Sequence, residues 1–207
     1  RLNTTENDGV STVMYTSGTT ANPKGIIFTQ MNIISKRFSR AIALPDLSSN
    51  DIFLSYLPLY HTFGRYLEMI GTIFWGATYA FAESPAYKTL LKNFLVVQPT
   101  VFISIPKRWI QLYEQINNQT QHEQLSPKKI KTVLKKLTGG KLKLGLSAAG
   151  YLDPDIFEFY QKNGIHLLSG YGMTEATGGI TMTPVDEYLR DSVGKSLPGI
   201  ETKITED

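Results

Sequence analysis

Short apolar runs alternate with longer amphipathic segments along most of this chain of 207 residues. Residues 52–56 and 100–104 have the length and composition of buried strands, whereas residues 87–97 and 107–117 carry apolar side chains at helical spacing. Strands that alternate with helices form parallel sheets, because each parallel connection needs a crossover. The pattern therefore predicts an α/β fold in which a mainly parallel sheet is layered with helices. No internal repeat or linker divides it.

The end of the chain adds one strand that positions a motif. Residues 166–169 are expected to form a strand that delivers residues 171–175, Tyr-Gly-Met-Thr-Glu, at its carboxyl end. Open α/β sheets bind their ligands at that edge. The alternating residues 201–207 are also predicted to be extended.

The most regular predicted helix is also the most basic segment. Ser126 is suited to the N-cap and Pro127 to the first turn, apolar residues recur at i, i+3, i+4 and i+7 from Ile130, and Gly139 with Gly140 ends the helix. The segment holds seven lysines: Lys128, Lys129, Lys131, Lys135, Lys136, Lys141 and Lys143. Since the whole chain carries +3, the remainder is negative and the basicity is local.

The lysines of residues 128–143 are most simply a solvent-exposed helix face, with contact to anionic lipid or to the phosphates of coenzyme A as alternatives. Neither aromatic residues nor arginines interleave with them, so we expect no nucleic-acid partner.

The cysteine and histidine content excludes several kinds of site. With no cysteine, a disulfide framework, a thiolate metal site and a cysteine nucleophile are all excluded. The three histidines lack the spacing of a transition-metal site. The uncharged, largely apolar stretch of residues 69–82 is too short to cross a bilayer of about 30 Å. We expect a cytoplasmic location, with peripheral contact at a membrane surface as an alternative.

Residues 15–25 read Tyr-Thr-Ser-Gly-Thr-Thr-Ala-Asn-Pro-Lys-Gly and are typical of a loop that cradles phosphate. Small and hydroxylated residues let backbone N–H groups approach an anion, and Lys24 adds a positive charge. Val10, Val13 and Met14 before the loop, and residues 25–28 after it, predict a buried strand on each side. The loop is not a Walker loop, because Lys24 lies between Pro23 and Gly25.

Residues 15–25 resemble the first signature of the adenylate-forming superfamily, which includes acyl-CoA synthetases, beetle luciferases and peptide-synthetase adenylation domains. Residues 171–175 match the second signature of that superfamily, at the separation that its members use. Residues 55–61, 98–108, 146–150 and 192–199 are most similar to the long-chain acyl-CoA synthetase branch. The chain departs from the family at Ala21 and Tyr151, where Gly and Pro are usual, and at Gly64, where long-chain synthetases often have Glu.

The resemblance implies an ATP site with Mg²⁺ and with coenzyme A as co-substrate. Its cradle for the triphosphate would consist of Thr16, Ser17, Gly18, Thr19, Thr20 and Lys24. Glu175 matches the family's Mg²⁺ ligand and Thr174 the hydroxyl at the α-phosphate. The second signature also supplies Tyr171, Gly172 and Met173.

The resemblance also places residues around the adenine and the acid. Tyr171 matches the aromatic residue that packs on adenine, and Ala149, Gly150 and Tyr151 match the segment on the opposite face of the base. His61 matches a histidine near the carboxylate of the acid, although a local hydrogen-bonding role fits it equally well. Lys24, Thr174, Glu175 and His61 are thus the catalytic candidates.

The chemistry implied is transfer of the adenylyl group of ATP to a carboxylate, followed by transfer of the acyl group to coenzyme A. Residues 1–207 would be an internal fragment of the AMP-binding domain, because the family continues with a ribose-binding aspartate, a hinge and a small C-terminal domain. We expect a fatty acid:coenzyme A ligase as the parent protein and an inactive fragment. A non-catalytic module of the same fold and an adenylation domain that loads a carrier protein remain alternatives.

Overall fold

The computed structural model describes residues 8–16, 22–120 and 126–205. Its strands are β1 (Val10–Thr16), β2 (Lys24–Thr29), β3 (Ile52–Ser55), β4 (Thr78–Phe81), β5 (Val101–Ser104), β6 (Leu144–Ser147), β7 (His166–Met173), β8 (Gly178–Met182) and β9 (Lys195–Ser196). Its α-helices are α1 (Gln30–Ala43), α2 (Ile70–Trp75), α3 (Tyr87–Val97), α4 (Pro106–Thr120), α5 (Pro127–Leu137) and α6 (Pro154–Lys162). A π-helical segment, Phe63–Met69, leads into α2, and a 3₁₀ turn, Thr174–Ala176, follows β7.

Seven strands form the central sheet in the order β4-β3-β5-β6-β7-β8-β9. The pairs from β4 to β7 are parallel, whereas β8 and β9 add an antiparallel edge. The prediction of a mainly parallel sheet layered with helices is confirmed. β7 belongs to both the parallel part of the sheet and its antiparallel edge, since residues 166–169 pair with β6 and residues 170–173 pair with β8.

The helices on one face of the sheet pack around two large aromatic residues. Trp109 of α4 and Tyr160 of α6 are fully buried, and the Tyr160 hydroxyl donates to the Trp109 carbonyl at 2.7 Å. Gly145 of β6 makes room for the indole, because a Cβ there would lie 2.5 Å from the Trp109 ring. The opposite face has a second core around Phe53, Leu146 and Leu168.

β1 and β2 form a separate two-stranded hairpin in which Thr16 pairs with Lys24. The two predicted strands are therefore present, but the prediction that β1 is buried is wrong. Met14 and Phe28 pack on Tyr66 of the π-helical segment, whereas Val13 is 44% exposed. A hairpin that covers the domain with one face leaves alternate side chains in solvent.

Near the end of the chain, one strand is longer than predicted and one prediction is wrong. The strand predicted over residues 166–169 continues through Tyr171, Gly172 and Met173 as β7, because β8 pairs with them. Residues 201–205, which were predicted to be extended, have no regular secondary structure. Among the residues that the structure describes, no helix combines the length and apolar character needed to cross a membrane.

Candidate active site at the carboxyl edge of the sheet

A cavity of about 80 Å³ lies where β6 and β7 separate. The last pair between these strands joins Ser147 and Ser169. The chain then leaves β6, while β7 continues along β8. The cavity is lined by Arg40, His61, Thr62, Phe63, Leu67, Leu146, Ala148, Ala149, Gly170, Tyr171, Gly172, Gly178, Gly179, Thr181, Met182 and Leu197.

The strand pair that forms one wall of the cavity depends on Gly172. A Cβ at this position would lie 2.3 Å from the Gly178 carbonyl oxygen of β8. No side chain fits that distance, so the close pairing of β7 with β8 needs glycine here. Tyr171, the neighbouring residue, is half-exposed at the rim.

His61 lies in the loop between β3 and the π-helical segment and lines the cavity. Its Nδ1 accepts a hydrogen bond from the Phe63 backbone N–H at 3.2 Å. A neutral ring in this arrangement carries its proton on Nε2, which leaves Nε2 as the donor. His61 thus combines the local hydrogen bond and the cavity position that the sequence suggested as alternatives.

Two cations of α1, the buried Arg40 and the half-buried Lys36, hold the segment that follows β7. Arg40 donates from Nη2 to the Thr177 carbonyl at 2.8 Å, and Lys36 donates from Nζ to the Gly179 carbonyl at 2.9 Å. Burial, and then the charge of Arg37, lowers the pKa of Arg40 to about 9. Burial, and then the charge of Arg40, lowers the pKa of Lys36 to about 8.

Sequence reasoning missed Lys36 and Arg40, the two side chains that hold this segment and that we call the clamps. Lys36 and Arg40 are spaced i, i+4 on a helix that was recognised, so their shared face could have been noted. Their burial could not, because it depends on β8 lying across α1. The clamps fix the start of β8 and therefore the turn that carries Thr174 and Glu175.

The structure brings some predicted site residues together and separates others. His61, Ala149, Tyr171 and Gly172 line the cavity, whereas Gly150 and Tyr151 line a groove beside α4, which Ala149 also borders. The Tyr151 side chain is 73% exposed.

The predicted phosphate residues lie at two places. Thr16 and Lys24 face each other across the hairpin, and Lys24 is exposed. Ser17, Gly18, Thr19, Thr20 and Ala21 lie outside the described residues. Met173 ends β7, and Thr174 with Glu175 follows in the 3₁₀ turn.

The donor set at this edge fits a magnesium ion that ATP would help to hold. Glu175 is exposed in the 3₁₀ turn, so its oxygens are accessible. In the part of the chain that the structure describes, no three His, Asp or Glu residues cluster as a metal site. Mg²⁺ commonly uses one or two carboxylates together with phosphate oxygens and water, so a single carboxylate suits it.

Comparison with known proteins decides the family. A family model described as AMP-binding enzyme matches residues 2–207. The chain belongs to the AMP-binding enzyme family.

Within the AMP-binding family, a long chain acyl-CoA synthetase 3 of Arabidopsis thaliana is 31% identical over 94% of this chain and 34% of its own length. The chain thus spans about a third of the curated relatives it matches. Among solved structures, ATP-bound MatB from Rhodopseudomonas palustris is 26% identical, with a TM-score of 0.74 over 94% of this chain and 35% of that one. An o-succinylbenzoate coenzyme A synthetase from Bacillus subtilis, in complex with ATP and a magnesium ion, is 25% identical, with a TM-score of 0.75 over 98% and 38%.

Proposed function

We propose that the protein to which this chain belongs activates a long-chain fatty acid with ATP and transfers the acyl group to coenzyme A. The observation that carries the proposal is the cavity at the carboxyl edge, where His61, Ala149, Tyr171 and Gly172 meet in a member of the AMP-binding family. The similarity to long chain acyl-CoA synthetases supports the fatty acid as substrate.

The lining of the cavity suits the carboxyl end of an acid. Phe63, Leu67, Leu146 and Met182 supply apolar surface, and His61 with Arg40 supplies donors. About 80 Å³ is well below the roughly 300–1,000 Å³ of typical ligand pockets, so the cavity has room for the carboxyl end and its nearest methylenes. The rest of a long acyl chain would lie beyond it.

In the first step, a carboxylate oxygen of the acid bonds to the α-phosphorus of ATP, and the bond from that phosphorus to the pyrophosphate oxygen breaks. Lys24 is assigned to the charge on the departing pyrophosphate and Thr174 to the α-phosphate, with donors held where charge develops. Glu175 would hold the Mg²⁺, which neutralises phosphate charge. The His61 Nε2–H is assigned to orient the attacking carboxylate.

In the second step, the sulfur of coenzyme A bonds to the acyl carbon, AMP leaves with the electrons of the carbon–oxygen bond, and the thiol proton passes to solvent. Tyr171 at the cavity rim is assigned to the adenine of the adenylate. Tyr151 borders the α4 groove and not the cavity, so this departure from the family pattern does not obstruct the acid. That placement weakens the case for a non-catalytic module.

The test is exchange of labelled pyrophosphate into ATP by the full-length protein, with and without a long-chain fatty acid. We expect exchange that requires the acid, and a loss of roughly tenfold or more for Lys24→Ala, since a charge-assisted contact contributes about 1.5–3 kcal/mol. Glu175→Ala should lose comparable activity and should need more Mg²⁺ to recover it. Lys203→Ala and Glu201→Ala, both at exposed positions, are the matched controls.

Absence of exchange with every carboxylic acid would refute the proposal, and full activity of Glu175→Ala would refute the metal assignment. Mass spectrometry of the product separates the acceptors. An acyl-CoA supports a ligase, whereas acylation of a phosphopantetheinylated carrier protein alone would indicate a loading domain.

A further inference from the structure

The outer faces of α3 and α5 together form a basic surface on the helical layer. It consists of Lys88, Lys92, Leu95 and Val96 on α3 and of Lys128, Lys131, Lys135 and Lys136 on α5, and we call it the lysine surface. All eight side chains are exposed. Neither helix contains an acidic residue.

The two helices are packed against each other, so their outer faces are continuous. Leu90 and Phe94 of α3 and Leu134 of α5 belong to one buried cluster. At the carboxyl ends the contact is closer still, since a Cβ on Gly139 would lie 2.2 Å from the Phe94 carbonyl oxygen. The lysines therefore sit on a fixed scaffold.

The lysines that α5 contributes to the lysine surface have no acidic partner among the residues that the structure describes. Within the described ranges, no carboxylate lies at salt-bridge distance from Lys128, Lys131, Lys135 or Lys136. Lys143 differs, because its Nζ lies 2.8 Å from the buried carboxylate of Asp51. The basic surface thus excludes Lys143, which the sequence had grouped with the others.

Two apolar side chains accompany the charges. Leu95 is 55% exposed and Val96 is 82% exposed, on the same outer face of α3 as Lys88 and Lys92. Exposed aliphatic side chains beside lysines gain by entering the headgroup region of a bilayer. A soluble polyanion such as RNA would leave them in water and would favour arginine and aromatic residues instead.

We propose that the lysine surface docks the protein on an anionic bilayer, with the lysines against lipid phosphates and carboxylates and with Leu95 and Val96 inserted among the headgroups. The inference does not depend on the proposed function. Each lysine near an anionic membrane contributes about fivefold in affinity, so three of them account for roughly a hundredfold.

The test is sedimentation of the full-length protein with vesicles of phosphatidylcholine, alone or mixed with phosphatidylserine. The measured quantity is the preference for the anionic vesicles, because this ratio cancels any attachment that does not depend on lipid charge. We expect a preference that weakens with added salt. In the joint variant Lys128→Gln, Lys131→Gln and Lys135→Gln, the preference for anionic vesicles should fall roughly a hundredfold.

Two further variants sharpen the result. The triple replacement of Lys162, Lys195 and Lys203 by Gln removes three exposed lysines elsewhere and should keep the preference. Val96→Ser should weaken binding a fewfold with an unchanged salt dependence. An unchanged preference in the α5 variant, or equal loss in both triple variants, would overturn the proposal. Binding to RNA that matches binding to the anionic vesicles and is insensitive to Val96→Ser would assign the surface to nucleic acid instead.

Discussion

Glu68 offers a quantitative test of the packing between the π-helical segment and the sheet. Its side chain is fully buried, and neither carboxyl oxygen has a hydrogen-bond partner among the described residues. Burial raises the pKa of Glu68 to about 8, and the nearby hydroxyls of Ser55 and Tyr79 oppose the rise only in part. The folded protein therefore holds this carboxyl protonated at neutral pH.

The sign of the pH dependence follows from that rise. The unfolded chain ionises Glu68 near pH 4.5, whereas the folded chain does so only near pH 8. The stability that the protonated Glu68 carboxyl contributes is complete below the pKa of the unfolded chain. It falls progressively as the pH rises from there, and the fall ends once the pH passes the pKa of the folded chain. At pH 7 the accumulated loss is about 3 kcal/mol, since each pKa unit corresponds to about 1.4 kcal/mol.

Glu68→Gln removes the ionisation and keeps the shape. Urea denaturation of the full-length protein, followed by tryptophan fluorescence between pH 5 and pH 8, should show the variant gaining about 1.4 kcal/mol per pH unit relative to the native protein. Glu83→Gln, at an exposed position, should show no such trend. A difference between Glu68→Gln and the native protein that stays constant with pH would refute the reasoning.

Two further substitutions test single contacts. Gly172→Ala should push β7 from the Gly178 carbonyl, lowering stability by about 1–3 kcal/mol and reducing pyrophosphate exchange; native activity in this variant would contradict the close pairing. Tyr160→Phe should cost about 1–2 kcal/mol in urea denaturation, because it removes the hydrogen bond to the Trp109 carbonyl, whereas Tyr188→Phe should cost less.

The local elements were largely predictable because their signals lie within a few residues. α5 begins and ends where Ser126, Pro127 and Gly139 indicated, and α3 has the predicted bounds. Ser126 occupies the N-cap position, although its side chain makes no capping hydrogen bond. The parallel direction of β3 to β7 follows from the alternation with helices, whereas their order in the sheet does not.

What depended on which elements pair or pack together was not predictable. The apolar run of β1 could not show that its partner is β2 and not the central sheet. The predicted strand ended at residue 169 because the pairing of Tyr171 with Thr181 of β8 leaves no signal in the sequence near residue 171. The burial of Arg40 likewise requires the approach of Thr177, 137 residues away.

The candidate site was likewise predictable only in part. Two motifs identified the family, and four of the predicted positions, His61, Ala149, Tyr171 and Gly172, line one cavity. The roles of Lys24, Thr174 and Glu175 stay predictions. Gly150 and Tyr151 lie toward α4 because the chain turns at Ala149, whose φ of 64° is unusual for a residue other than glycine.

The cavity wall that β7 forms changes its bonding partner at Ser169. Residues up to Ser169 are bonded to β6, and residues beyond it are bonded to β8, so tilting the outer half breaks no bond to the parallel sheet. Ser169 itself makes three hydrogen bonds with Thr183: its N–H donates to the Thr183 hydroxyl, and that hydroxyl and the Thr183 backbone N–H both donate to its carbonyl. The position of Tyr171 and Gly172 therefore depends on β8, and through it on Arg40 and Lys36 of α1, whereas Ala149 depends on the parallel sheet.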